Sequence, residues 1–184
     1  MNNRIQRKIA NLEGLQRFPA EDLFSYFTIN KKDTILDVGT GTGYVARAVA
    51  TKVDKVYALD SDKDILAYLM KTSDESGIRN IEPIIGDFKS IPIPKDHVDT
   101  AIASISLHEV KPLSVVLDQI RSTLKQGGVF VCIDIEKTEN ASAPRAFSGE
   151  MEQEMMNAGF TIVNKSFPAM KLGKEPLYVI VGRK

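Results

Sequence analysis

A short apolar run, Thr34–Val38, is stopped by Gly39, and two more glycines follow at alternate positions, Gly41 and Gly43. No other stretch restricts the fold so narrowly. A strand that runs into alternating glycines and then into a helix needs a tight turn with bare backbone on one side. The helix that follows turns its positive end toward the same place. In an open parallel sheet such a turn falls at the carboxyl end of the strand, where ligand crevices form. The competing reading is a turn built of glycine for packing alone.

The rest of the chain alternates in the way such a sheet requires. Tyr44–Thr51 reads as a helix, Lys55–Leu59 as a strand ending at Asp60, and Lys63–Ser76 as a helix stopped by Gly77. Ile81–Ile85 and Thr100–Ile105 read as strands, Leu113–Leu124 as a helix and Val129–Ile135 as a further strand. Pro92 and Pro94 predict a loop between the third and fourth strands. The tail departs from this rhythm. Phe147–Ala158 is helical, whereas Thr161–Ser166 and Leu177–Val181 are strands joined by about ten residues, too few for a helical crossover. Those two strands therefore form an antiparallel hairpin. The expectation is an α/β fold: a seven-stranded, mostly parallel sheet with helices on both faces and a C-terminal antiparallel hairpin. Upstream, Ile5, Ile9 and Leu12 recur at helical spacing before Gly14, and Pro19 opens a second helical segment carrying Leu23, Phe24 and Phe27. No repeat or linker divides residues 1–184, which read as one domain. Its first 30 residues are placed as helices forming a lid on the substrate side.

Charge and cysteine content narrow the function classes. With 24 basic and 24 acidic residues the formal charge is zero, so no general attraction to nucleic acid or anionic membrane is expected. The single cysteine, Cys132, lies in an apolar run and reads as a buried, inert thiol in a reducing, cytoplasmic setting. Two histidines and one cysteine suggest no metal cluster. No stretch reaches the length of a membrane span, and the charged N-terminus does not read as a secretory signal.

The glycine turn does not choose its ligand. Gly41–Ala46 satisfies the G-x-G-x-x-A form of a dinucleotide fingerprint, which leaves an NADP-dependent oxidoreductase as an alternative. Asp37 weighs against it, because it sets negative charge just before the first glycine, where a pyrophosphate approaches. The terminal hairpin also differs from a six-strand dinucleotide fold. Asp60, at the end of the second strand, is spaced to accept hydrogen bonds from two ribose hydroxyls. Capping of the next helix is its competing role, one that Ser61 or Asp62 also suits. His108 and Glu109 are adjacent proton-transfer types just past the fourth strand, and a histidine there suits a general base at neutral pH.

Taken in order, ILDVGTGTG (35–43), Asp60 in ALDSDKDIL, IIGDFKSIPI, VDTAIASISLHEV and LKQGGVFVCID resemble the signature regions of class I S-adenosylmethionine-dependent methyltransferases. The likeness is nearest to the small-molecule group of ubiquinone and menaquinone C-methyltransferases. It implies a Rossmann-like methyltransferase fold, S-adenosylmethionine as cofactor and a small-molecule methyl acceptor. It further implies that Asp37, Gly39, Gly41 and Gly43 line the methionine and ribose, and that Asp60 with Ser61 holds the ribose hydroxyls. Ile65 packs on the adenine, Asp87 accepts from its amino group, and Phe88 donates a backbone N–H to the ring. Ser104 stands beside the methyl donor. A catalytically silent S-adenosylmethionine-binding domain remains a second alternative.

Overall fold

The computed structural model describes residues 3–15, 18–108, 110–136, 147–169 and 171–184. Five strands follow the expected alternation: β1 (Thr34–Val38), β2 (Lys55–Asp60), β3 (Ile81–Ile85), β4 (Val98–Ser104) and β5 (Leu124–Ile135). Between and around them lie α1 (Asn3–Glu13), α2 (Tyr44–Ala50), α3 (Lys63–Glu75), α4 (Leu113–Thr123) and α5 (Ser148–Asn157). The tail supplies β6 (Thr161–Ser166), a two-residue β7 (Lys171–Leu172) and β8 (Glu175–Arg183). The sheet order is β3-β2-β1-β4-β5-β8-β6, with β7 pairing only to β8. β1 to β5 run parallel, whereas β8 is antiparallel to both β5 and β6. The expected hairpin is therefore present, with its second arm inserted beside β5, and β7 adds a short strand to the seven foreseen.

The inner strands β1, β2, β4, β5 and β8 are mostly apolar and buried because both faces of the sheet are covered there, whereas the edge strands β3 and β6 are largely exposed. On one face Ile35, Val56, Ile102, Val131 and Val179 pack against Val45, Val49 and Leu69 of α2 and α3. On the other, Leu36, Leu59, Ala101, Phe130 and Ile180 meet Leu117 and Ile120 of α4 and Met151 and Met155 of α5. Neighbouring residues of one strand thus go to opposite clusters, as a period of two requires. Cys132 is fully buried in the second cluster, and burial pushes its thiol well up from the ordinary value. Among the described residues no helix is long and apolar enough to cross a membrane.

Several boundaries shift from the sequence reading, and three of the shifts have a clear physical cause. β5 starts at Leu124, five residues before the predicted Val129, because Leu124 pairs with Val98 across a register shift. Pro19 does not begin an α-helix; it precedes a 3-10 helix over Ala20–Ser25, closed by Tyr26 N–H donating to Leu23 O. β4 ends at Ser104 because Ile105 sits at φ +56, a left-handed conformation that is costly for a β-branched residue.

Candidate active site

The glycine turn is fixed from two sides. The N–H groups of Gly39 and Thr40 both donate to Leu59 O at the end of β2, at 2.9 and 3.0 Å. Asp37, 2% exposed, accepts from Thr40 Oγ1 at 2.7 Å and from Ala46 N–H at 3.0 Å. The second bond takes up a free donor of the first turn of α2, as a capping carboxylate does. Asp37 is thus built into the wall of the turn.

The three glycines do different work. All have positive φ, at +76, +54 and +85 for Gly39, Gly41 and Gly43. A Cβ on Gly43 would lie 2.0 Å from Leu69 Cδ1, and one on Gly39 2.5 Å from Ser106 Cβ. Those two let neighbouring elements close in. At Gly41 the nearest atom to such a Cβ is Leu12 Cδ1 of α1 at 3.7 Å, an ordinary van der Waals contact, so no close-packed neighbour among the described residues requires glycine at this position. A cleft of about 230 Å³ adjoins it between α1 and α2, lined by Leu12, Glu13, Leu15, Thr42, Tyr44 and Arg47.

Asp60 reaches the turn from β2. Its Oδ2 accepts from Gly41 N–H and its Oδ1 from Asp62 N–H, both at 3.0 Å. Asp62, not Asp60, caps α3 by accepting from Asp64 and Ile65 N–H. That removes the competing role of Asp60, and a carboxylate with about four acceptor sites keeps capacity for a ligand. Ser61 is exposed beside it. Ile65 is fully buried, covered by Ile5 and Ile9 of α1. Lys8 on the same helix pairs with Asp62 at 2.8 Å, and this hydrogen bond lowers the Asp62 carboxyl below its ordinary value. Asp87 is exposed and accepts from Lys89 N–H at 2.9 Å within its own turn. The Phe88 ring packs toward Gly39, where its Cζ would stand 3.1 Å from an added Cβ.

On the other side of β1 the chain leaves β4 through strained Ile105. Ser106 Oγ donates to Val38 O at 2.7 Å, which draws this segment under the glycine turn. Ser104 Oγ is buried and has no hydrogen-bond partner among the described residues. A buried hydroxyl in that state costs free energy unless something satisfies it. His108 Nδ1 lies 3.0 Å from Asp134 Oδ1 at the end of β5. Asp134, fully buried, was not singled out in the sequence, although a lone carboxylate inside Val129–Ile135 mirrors Asp37 inside Thr34–Val38. Glu109 lies outside the described residues.

The donor set fits S-adenosylmethionine. A carboxylate with spare acceptors, a glycine with room for a Cβ and a buried hydroxyl unpartnered among the described residues stand at the ends of β2, β1 and β4, while Ile65 lies beneath α1. Among the described residues no group of three or more acidic, histidine or cysteine side chains is placed to hold a metal.

Comparisons with known proteins agree. Residues 35–128 match the family described as methyltransferase domain. The mitochondrial arginine-hydroxylase NDUFAF5 of Rattus norvegicus is 36% identical over 97 residues, covering 52% of this chain and 27% of that protein. The demethylmenaquinone methyltransferase of Geobacillus stearothermophilus is 27% identical over 117 residues, 62% of this chain and 50% of the relative. The chain thus spans half or less of the length of these curated relatives. The structure of an S-adenosylmethionine-dependent methyltransferase from Aquifex aeolicus superimposes with a TM-score of 0.79 at 22% identity, covering 100% of this chain and 98% of the other. That likeness establishes the fold.

Proposed function

The chain belongs to the methyltransferase domain family, and on that premise we propose that it is an S-adenosylmethionine-dependent methyltransferase acting on a small-molecule acceptor. The observation that carries the reading is the Asp60 carboxylate, hydrogen-bonded to Gly41 N–H with acceptor capacity to spare, beside a glycine whose only described neighbour within 4 Å of an added Cβ is Leu12 of α1. In this assignment Asp37, Gly39, Gly41 and Gly43 line the methionine and ribose. Asp60 and Ser61 take the ribose hydroxyls, and Ile65, Asp87 and Phe88 form the adenine end. Ser104 offers its unpartnered hydroxyl beside the methyl donor.

The bound cofactor supplies a methyl carbon activated by positive sulfur. The protein's part is alignment of the acceptor and exclusion of water, which is worth on the order of 7–11 kcal/mol of the barrier. His108 takes the acceptor's proton, and Glu109, next in sequence, is the second proton-transfer candidate. Residues 1–30 act as a lid, anchored by the contacts of α1 with Ile65 and Asp62. The balanced charge favours a small molecule over nucleic acid, and the lone buried thiol fits the cytoplasm.

A methyl-labelled cofactor, incubated with an acceptor panel that includes reduced demethylated quinones, catechols, amines and thiols, tests this reading. Label in one acceptor class supports it. Cofactor binding without transfer to any class would favour a silent binding domain.

A further inference from the structure

We propose that Asp134 is the positioning residue for His108, holding its imidazole in the tautomer whose Nε2 accepts a proton. The inference rests on the base reading of His108 given above and adds to it the group that makes the base competent.

Asp134 is fully buried in β5, between Ile133 and Ile135, where an ionised carboxylate survives only if several donors satisfy it. Three do. Ile135 N–H donates to Oδ1 at 2.8 Å, Leu107 N–H to Oδ2 at 3.3 Å, and the His108 ring meets Oδ1 through Nδ1 at 3.0 Å. The two backbone donors fix the carboxylate's plane from β5 and from the segment beyond β4. A carboxylate can only accept, so the proton of this contact belongs to Nδ1. A neutral imidazole has one N–H, and its lone pair then stands at Nε2.

The placement follows from the backbone. Ile105, at φ +56, turns the chain out of β4, and Ser106 anchors it to Val38 O. Two residues later His108 lies beyond the end of β4, between the ends of β1 and β5, with its side chain 22% exposed while that of Asp134 is 1% exposed. The carboxylate end of the pair is sealed and the imidazole end is partly exposed. A histidine serving only to cap a buried carboxylate needs no such strained corner.

In the reaction, Nε2 takes the proton from the acceptor's nucleophilic atom as that atom bonds to the methyl carbon. The carbon–sulfur pair returns to sulfur, leaving a neutral thioether. The positive charge ends on the imidazole, beside an Asp134 that stays ionised, and Nδ1 keeps its proton throughout.

The chain has two histidines, so ring ¹⁵N–¹H correlation spectra contain two spin systems, and His108→Gln identifies one by its loss. At pH 9 wild-type His108 should show a protonated Nδ1 and a bare Nε2. In Asp134→Asn the preference should fall by at least about tenfold, because a charge-assisted bond is lost and the amide can donate instead. A wild-type ring protonated at Nε2 overturns the proposal, and so does an unchanged tautomer in folded Asp134→Asn. The wild-type spectrum decides even where the variant does not fold. Calorimetry with S-adenosylhomocysteine on the same samples tests the functional reading separately: its failure to bind, with Nδ1 protonated, overturns the methyltransferase assignment and not the pairing.

Discussion

Two buried carboxylates mark the two halves of this site, and they are held in opposite ways. Asp37, at the end of β1, spends its bonds on its own turn: Thr40 is three residues away and Ala46 nine. Asp134, at the end of β5, reaches back 27 residues to Leu107 and 26 to His108. The first stiffens backbone against which a cofactor can lie. The second joins two strand ends and orients a titratable ring. A buried charge can thus serve as architecture or as part of a reaction, and the identity of its donors separates the two cases.

Breaking the cofactor half at its packing glycine should have the largest effect on folding. Gly43→Val sets a branched side chain at φ +85 and into Leu69, so a loss of roughly 2–6 kcal/mol is expected, the sum of backbone strain and overpacking. Gly41→Val places its Cβ only in ordinary contact with Leu12 and should lose about 1–3 kcal/mol of stability from strain, yet abolish cofactor binding. Urea unfolding of both variants, with calorimetry on the second, checks the contrast. Equal losses of stability would mean that Gly41 is a packing glycine too.

In the acceptor half, His108→Ala should leave cofactor affinity intact and slow methyl transfer by about 10²–10⁴-fold. Since the neutral ring is the active form, the wild-type rate should rise with pH as the imidazole loses its proton, and the variant should lack that limb. Single-turnover rates across pH test this. Superimposable profiles would reduce His108 to a wall of the pocket.

Asp60→Ala sharpens the comparison from the cofactor side. It removes a charged acceptor, worth about 1.5–3 kcal/mol or roughly ten- to a hundredfold in affinity, with methyl transfer recovered at saturating cofactor. Recovery of rate without recovery of affinity would separate binding from chemistry, and unchanged affinity in a folded variant would remove Asp60 from the site.

Lys8→Ala should have the smallest effect. The Lys8–Asp62 pair is partly exposed, so it contributes at most about 1 kcal/mol after screening. Its hydrogen bond depresses the Asp62 carboxyl, so the stabilisation is present above the ordinary carboxylate range and lost as pH falls through it. Thermal melts of the two proteins should differ slightly at pH 7 and converge in acid, once pH falls through the lowered Asp62 value, beneath the ordinary carboxylate range. A difference that persists in acid would assign the effect to packing of the lysine stem.

The same contrast explains what the sequence made legible. Alternating apolar strands, the glycine turn and Asp60 are local patterns, and the sheet follows from them. The hairpin was readable because its connection is too short for a crossover. Asp134 was not, since its meaning depends on residues from another strand end, although a single charge in an apolar run is a usable signal. The corner at Ile105 was hidden as well, because isoleucine in an apolar run reads as more strand, whereas here it takes positive φ between its own bond to Ile133 O and the bond of Ser106 to Val38 O. The early start of β5 is likewise a matter of tertiary pairing, of Leu124 with Val98.

The central claim is that the crevice at the ends of β1, β2 and β4 is an S-adenosylmethionine site. Its most direct test is calorimetric titration of the wild-type protein with S-adenosylmethionine and, separately, with NADPH. The account predicts saturable one-to-one binding of S-adenosylmethionine and none of NADPH. Saturable NADPH binding with no heat from S-adenosylmethionine would contradict it and return the glycine turn to the dinucleotide reading.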